Sequence, residues 1–165
     1  MNLPSPFGLS GFLTVAVLGL LLIAVQGAAL PWAGLAGPET AVILMAYTAW
    51  RAEKWAAVFM AFILGLFRDA AGGGPLGIHQ IALILTAWAF YPWRRRVHLE
   101  ATLPLMICVF SLSLGGDLLI LTPLTALLGW PGFNPLPGFL VAALTSALAA
   151  PPLFWLLQRL PGGRA

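Results

Sequence analysis

Apolar residues run along this chain in blocks, each broken by charge or by Pro and Gly. A helix needs about 20 apolar residues to cross ~30 Å of hydrocarbon. The first block, Gly11 to Leu30, has that length, with only Gln26 interrupting it before Pro31 ends it. Two shorter blocks follow, Thr40 to Trp50 and Trp55 to Phe67, separated by Arg51, Ala52, Glu53 and Lys54. One continuous helix would carry those charges at its middle, at roughly 2.5–3.5 kcal/mol each. Two short helices joined by a tight charged turn avoid that cost and are the preferred reading, with a five-helix chain as the alternative. Their shortness has to be met by thinning of the bilayer, by extension into the interface, or by burial against neighbours.

Beyond Arg68 and Asp69, the breaker Gly72-Gly73-Gly74-Pro75 leads into a fourth helix over Ile78 to Tyr91, stopped by Pro92 and Arg94-Arg95-Arg96. A fifth runs from Ala101 to about Leu121 with Asp117 inside it, and Pro123 need not end it because Thr125 to Gly129 stays apolar. Trp130 to Pro137 is a turn rich in Pro, Gly and Asn. The sixth spans Gly138 to about Leu157, with a kink or break predicted at Pro151-Pro152. The expected fold is an all-α integral membrane protein of about six transmembrane helices, some short, in a single polytopic domain over residues 1–165.

Basic residues orient this arrangement, because cytoplasmic loops near helix ends collect Lys and Arg. With both termini inside, seven of the eight basic residues fall on the cytoplasmic side: Arg51, Lys54, Arg94, Arg95, Arg96, Arg159 and Arg164, leaving Arg68 outside. Trp50, Trp55, Trp93 and Trp155 then mark inner helix ends and Trp32 and Trp130 outer ones, as an aromatic belt requires. Met1 to Ser10 has no basic residue before the apolar run and no small-residue cleavage site, so it reads as the lead-in to a retained helix rather than a signal peptide.

Composition narrows the function. With 61% hydrophobic and 8% charged residues, the chain lies far from the roughly one-quarter charged residues of soluble proteins. A net charge of +3 with one short basic run is too little for a nucleic-acid surface. The single Cys108 sits in an apolar stretch with no activating group nearby and reads as a small core residue. The Gly72 to Gly77 segment lacks the Gly-Lys-Ser/Thr and the preceding strand of a phosphate loop. His79 and His98 fall on opposite sides of the membrane without further metal ligands, and no Ser-His-acid set or carboxylate pair survives the same topology. Neither catalytic residues nor a metal or cofactor site is expected.

The informative acids are Asp69 and Asp117, since a carboxylate within the membrane is expensive unless paired, protonated or facing water. Arg68 is the candidate ion-pair partner of one of them. Adjacent helical side chains do not face each other, so Asp117 is the favoured choice. Glu39 and His79 are the only other ionisable groups near the outer boundary, too few for a proton or cation pathway. Ala57, Ala61 and Gly65 recur every four residues on the third helix, as do Ala142, Ser146 and Ala150 on the sixth. Such stripes let helices approach closely in lipid, either inside one chain or against a partner's helix.

The segment Gly65 to His79, with Gly65, Asp69, Pro75, Leu76 and Gly77 at its key positions, resembles the bacterial rod-shape-determining protein MreD family, in which a helix ends in Gly and apolar residues, followed by Asp, a small-residue turn and a Pro-Leu-Gly-like helix entry. Length, helix count and short loops are similar over the whole chain. The Gly triplet and Arg68 depart from the usual pattern and bear on the local turn. The resemblance implies a non-enzymatic inner-membrane scaffold of the cell-elongation complex that binds MreC and belongs with RodA, its partner transpeptidase and MreB, in peptidoglycan synthesis. It also implies a fold like the substrate-binding subunits of energy-coupling-factor transporters. A vitamin-type binding subunit of such a transporter is the alternative function. It would want polar side chains lining an outward cavity and a small-residue stripe on the first helix, where only Ala24 and Ala28 are spaced for one. Membrane lipid is an expected contact, nucleic acid is not, and self-association is left open.

The charge partition makes a direct prediction. A cysteine introduced as Asn134→Cys should react with an impermeant reagent added outside intact cells, and one introduced as Arg95→Cys should not. The reverse pattern would invert the topology.

Overall fold

A computed structural model describes residues 8–33, 37–72, 76–94, 96–97, 99–118, 122–127 and 136–159. Its elements are all helical: α1 (Leu9–Ala33), α2 (Thr40–Arg51), α3 (Lys54–Gly72), α4 (Ile78–Phe90), α5 (Thr102–Gly116), the short α6 (Thr122–Leu127) and α7 (Leu136–Arg159). Of these, α1 and α7 are long and apolar enough to cross a bilayer by length and composition. Pro75 of the motif, Arg95, His98, Trp130, Asn134 and Arg164 lie outside the described residues.

The two short apolar blocks form two helices, parted at Ala52 and Glu53. Their shortness is resolved by burial. In α2, every residue from Thr40 to Ala49 is buried, and the helix packs against α1, α3, α4, α5 and α7 in turn. It is a core pillar about 18 Å long at 1.5 Å per residue, which the other helices surround. Ile43, Leu44, Met45 and Tyr47 are sealed by Met60 and Leu64 of α3, Val109 of α5 and Phe154 of α7, all at 2% exposure or less. The outer helices turn large apolar side chains outward, among them Leu13 and Val17 of α1, Phe59 of α3, Leu85 of α4, Ile107 of α5 and Leu148 of α7.

Two expectations about proline and helix length change. The regular part of the fifth helix is shorter than expected, and residues 119–121 lie outside the described ones. It stops at Gly116, after which Asp117 and Leu118 form a wider π-type turn, and Pro123 sits in the first turn of the separate α6. The Gly115-Gly116 pair lowers helix propensity there, and a first-turn position costs proline nothing because its missing N–H would have no helical acceptor. In contrast, α7 runs through Pro151 and Pro152 without a break. Phe154 and Leu157 beyond them are buried at 2% exposure, and Phe154 meets the Tyr47 ring edge-on at 5.2 Å. That packing holds the helix on course past the lost hydrogen bonds.

The small-residue stripes are used inside the chain. Ala57 and Ala61 are buried at 1% and 0%, and a Cβ on Gly65 would stand 2.3 Å from the Cα of Gln80 in α4. Ser146 and Ala150 are likewise fully buried, and only Ala142 is half-exposed. The α3 stripe and the Ser146–Ala150 part of the α7 stripe are therefore packed within the chain. Cys108 is only half-buried, at the edge of the core rather than within it.

Gly65→Ala should therefore force α3 and α4 apart and lower stability by about 1–3 kcal/mol, the usual cost of overpacking. Gly19→Ala should cost less, because the nearest atom to its Cβ is the mobile Cδ2 of Leu64. Thermal unfolding of the two variants in detergent checks the order.

Candidate functional site: a buried polar cluster

The chain gathers its membrane-level charges where α3, α4, α5 and the entry to α2 meet. Each position follows from local structure. Glu39 directly precedes α2, its backbone N–H donating to Ser146 Oγ of α7 at 2.6 Å. Its carboxylate is shared: Arg68 Nη2 lies 2.5 Å from Oε1, and the Ser113 hydroxyl of α5 donates to Oε2 at 2.5 Å. Gln26, the one interruption of the first apolar block, also turns here. It accepts from Thr40 Oγ1 at 2.7 Å and donates to the Pro38 carbonyl. One segment before α2 is thus tied to α1, α3, α5 and α7.

Asp69 does something different. Its Oδ2 accepts from the backbone N–H of Gly77 at 2.7 Å and of Gln80 at 3.4 Å. Its Oδ1 accepts from the His79 backbone at 3.1 Å and lies 2.7 Å from His79 Nδ1. These amides belong to the N-terminus of α4, where donors have no helical acceptor and negative charge is favoured. Gly77 occupies the cap position with φ +104°, a conformation that favours glycine, and offers no side-chain cap. Asp69 supplies the cap from the end of α3. The motif residues Gly65, Asp69 and Gly77 act together: Gly65 lets α4 come close, Asp69 binds its amides, and Gly77 bends the chain into it. Leu76 is 72% exposed and takes no part in the lock.

The expected pairing of Arg68 is corrected. The direct partner is Glu39, not Asp69, whose oxygens are taken by α4, and not Asp117. Arg68 and Asp117 both line a cavity of about 20 Å³ with Glu39, His79, Thr86 and Ser113, but Asp117 Oδ2 is buried with no hydrogen-bond partner among the described residues. The pair with Glu39 wins because the segment leading into α2 carries that carboxylate to α3, while Asp117 begins the turn that ends α5. Glu39, Ser113 and His79 are the participants that spacing alone did not pick out. The available signal was charge: Glu39, Asp69, Asp117, Arg68 and His79 were all assigned to one side of the membrane, with few basic groups to balance the acids.

Ser146 lies thirteen residues before the end of α7 and ten after its start, so the cluster sits about 15 Å below the α7 N-terminus by helix rise. It stands at the ends of α3 and α5 and at the starts of α2 and α4, with only α7 among these helices extending well beyond it. Chemically it stabilises: Ser113 and Ser146 are occupied with Glu39, and His79 with Asp69. No group of three or more His, Cys, Asp or Glu side chains placed to hold a metal occurs among the described residues.

The opposite end is basic and aromatic. Arg94 Nη1 donates to the carbonyls of Ala49, at 2.9 Å, and Ala52, capping the C-terminus of α2 where a cation is favoured. Lys54 stands 3.6 Å from the Trp88 ring centre, Arg159 3.7 Å from that of Trp155, and Arg96 5.2 Å from that of Trp93.

Comparison with known families decides the relationship. The model of the rod shape-determining protein MreD family matches residues 8–160, nearly the whole chain. The chain belongs to the MreD family. No curated protein and no solved structure matches it, so the likeness of fold to energy-coupling-factor subunits rests on the resemblance alone. As an MreD-family member it is a membrane protein with a role in determining rod shape, from a structural and not an enzymatic family.

The Arg68–Glu39 pair gives a quantitative test. Arg68→Ala or Glu39→Ala alone should destabilise by up to about 3–5 kcal/mol, since each leaves a charge without its partner in a poorly solvated place. In a double-mutant cycle the two should couple by roughly 0.5–3 kcal/mol. Arg68→Ala combined with Asp117→Ala should couple less, and chemical denaturation in detergent reads both cycles.

Proposed function

We propose that this chain is a multi-pass scaffold of the rod complex in the bacterial inner membrane, with both termini cytoplasmic, one domain throughout, and a lipid-facing helical surface that docks the single span of MreC. The observation that carries this reading is the division of labour between inside and outside. Glu39, Arg68, Asp69, Ser113 and Ser146 within the bundle hold helices to one another, while the outward faces are apolar and offer large side chains. Through MreC the scaffold would stand beside RodA, its partner transpeptidase and MreB, and so organise peptidoglycan synthesis without catalysing a step of it.

With the α3 stripe and the Ser146–Ala150 part of the α7 stripe buried, the docking face is sought among exposed anchors. On α3, Trp55, Phe59, Phe62 and Leu66 are 70%, 55%, 42% and 40% exposed. Their spacing of four, three and four residues places them on one outward stripe, opposite Ala57, Ala61 and Gly65. Phe59 stacks on Phe62 at 6.3 Å and on Phe12 of α1 at 5.8 Å, so the anchors are pre-ordered. Aromatic anchors carry a large share of binding energy at interfaces.

A transporter subunit binding a vitamin-sized molecule fits less well. Binding sites for such ligands occupy about 300–1,000 Å³ with a few placed polar groups; the cavity beside the polar cluster is about 20 Å³, and the larger groove between α4 and α5 is lined mainly by apolar side chains.

Phe59→Ala with Phe62→Ala should reduce MreC co-purification at least several-fold at unchanged expression. Normal binding by that variant, together with loss of binding in Arg96→Glu, would place the interface at the cytoplasmic loops and refute the proposed face.

A further inference from the structure

Near the basic end, α4 and α5 part, and a groove of about 640 Å³ opens between them. Phe90, Trp93 and Arg96 form one bank, and α5 forms the other from Pro104 through Cys108 to Leu112. Eight residues of α5 separate Pro104 from Leu112, a rise of about 12 Å. That is close to the depth of one leaflet's hydrocarbon, half of ~30 Å. The volume falls within the range of sites for small molecules.

The charge is confined to one end. Arg96 is exposed at the mouth beside the Trp93 indole and forms no ion pair with a carboxylate among the described residues. Its neighbour Arg94 is already committed to the carbonyls of α2. An apolar trough of leaflet depth, with an unneutralised guanidinium and an interfacial indole at its mouth, is complementary to one molecule in particular: a phospholipid with a negative headgroup. Guanidinium binds phosphate through paired N–H donors, and basic pockets between membrane helices take acidic headgroups. A partner's apolar helix laid in this groove would leave the Arg96 guanidinium at its mouth without an acceptor, which a lipid phosphate supplies.

We propose that the α4–α5 groove binds an anionic phospholipid of the bilayer, with an acyl chain along α5 from Pro104 to Leu112 and the phosphate on Arg96. This goes beyond the scaffold reading and rests on it only for residence in a bilayer.

Cys108, half-buried in the groove, provides a native reporter. The purified full chain in neutral detergent is titrated with phosphatidylglycerol or with phosphatidylcholine of the same acyl composition, and alkylation of Cys108 by N-ethylmaleimide is timed. Phosphatidylglycerol should protect at concentrations where phosphatidylcholine does not. Arg96→Gln should weaken that protection roughly tenfold, as for loss of one charge-assisted contact. Native mass spectra should show phosphatidylglycerol retained by the unaltered chain and lost from Arg96→Gln, which gives a readout independent of thiol reactivity. Equal retention of the two lipids, or retention unchanged in Arg96→Gln, would overturn the proposal. So would a cross-link from Cys108 to the span of a co-purifying membrane protein that phosphatidylglycerol fails to displace. Because the measurement needs neither MreC nor a particular membrane orientation, its failure is distinct from failure of the scaffold reading.

Discussion

A twelve-residue helix that is buried along its length cannot rely on water to satisfy the polar groups at its ends. In α2 this constraint shapes the rest of the molecule, because an unpaired backbone group in an apolar interior costs as much as a lost hydrogen bond or more. The entry segment is met by Gln26 of α1, Arg68 of α3, Ser113 of α5 and Ser146 of α7; the C-terminus is met by Arg94 from the far side of α4. These polar side chains come from other parts of the chain and converge on one central pillar. Their positions fix the depth and rotation of the helices that carry them, so the polar contacts organise the bundle even where apolar packing supplies most of its area.

Asp69 applies the same logic between neighbours. A helix that starts inside a protein needs acceptors for its first amides, and α4 has a glycine where a capping side chain would otherwise sit. The acceptor comes from the end of the preceding helix instead, which couples the α3–α4 turn to the close contact at Gly65. The turn therefore has a mechanical role, fixing two antiparallel helices to each other at one end. Its resemblance to a nucleotide loop is confined to its glycines.

What remains for interaction is the outside. The buried serines, the arginine of the ion pair and the small-residue stripe of α3 are occupied within the chain, and the membership in a shape-determining family fits a protein that acts by what it holds. The proposed docking stripe on α3 and the lipid groove between α4 and α5 share no residue.

The sequence by itself determined the helical class, the split between Arg51 and Lys54, the family and the importance of Asp69, because these depend on local quantities: the length of apolar blocks, the cost of charge in their middle, and residue types at short spacing. It also carried the inventory of charges that had to meet. Which charges met was a property of the tertiary structure. Arg68 lies twenty-nine residues from Glu39 and forty-nine from Asp117, and nothing local ranks those two acids; only the route of the segment before α2 brings Glu39 to α3. The stripes at Ala57, Ala61 and Gly65 and at Ala142, Ser146 and Ala150 were visible as periodicity, yet periodicity states that a face is smooth and not which neighbour covers it. The passage of α7 through Pro151 and Pro152 is of the same kind, since local propensity argues for a break and the burial of Phe154 and Leu157 against the core overrides it.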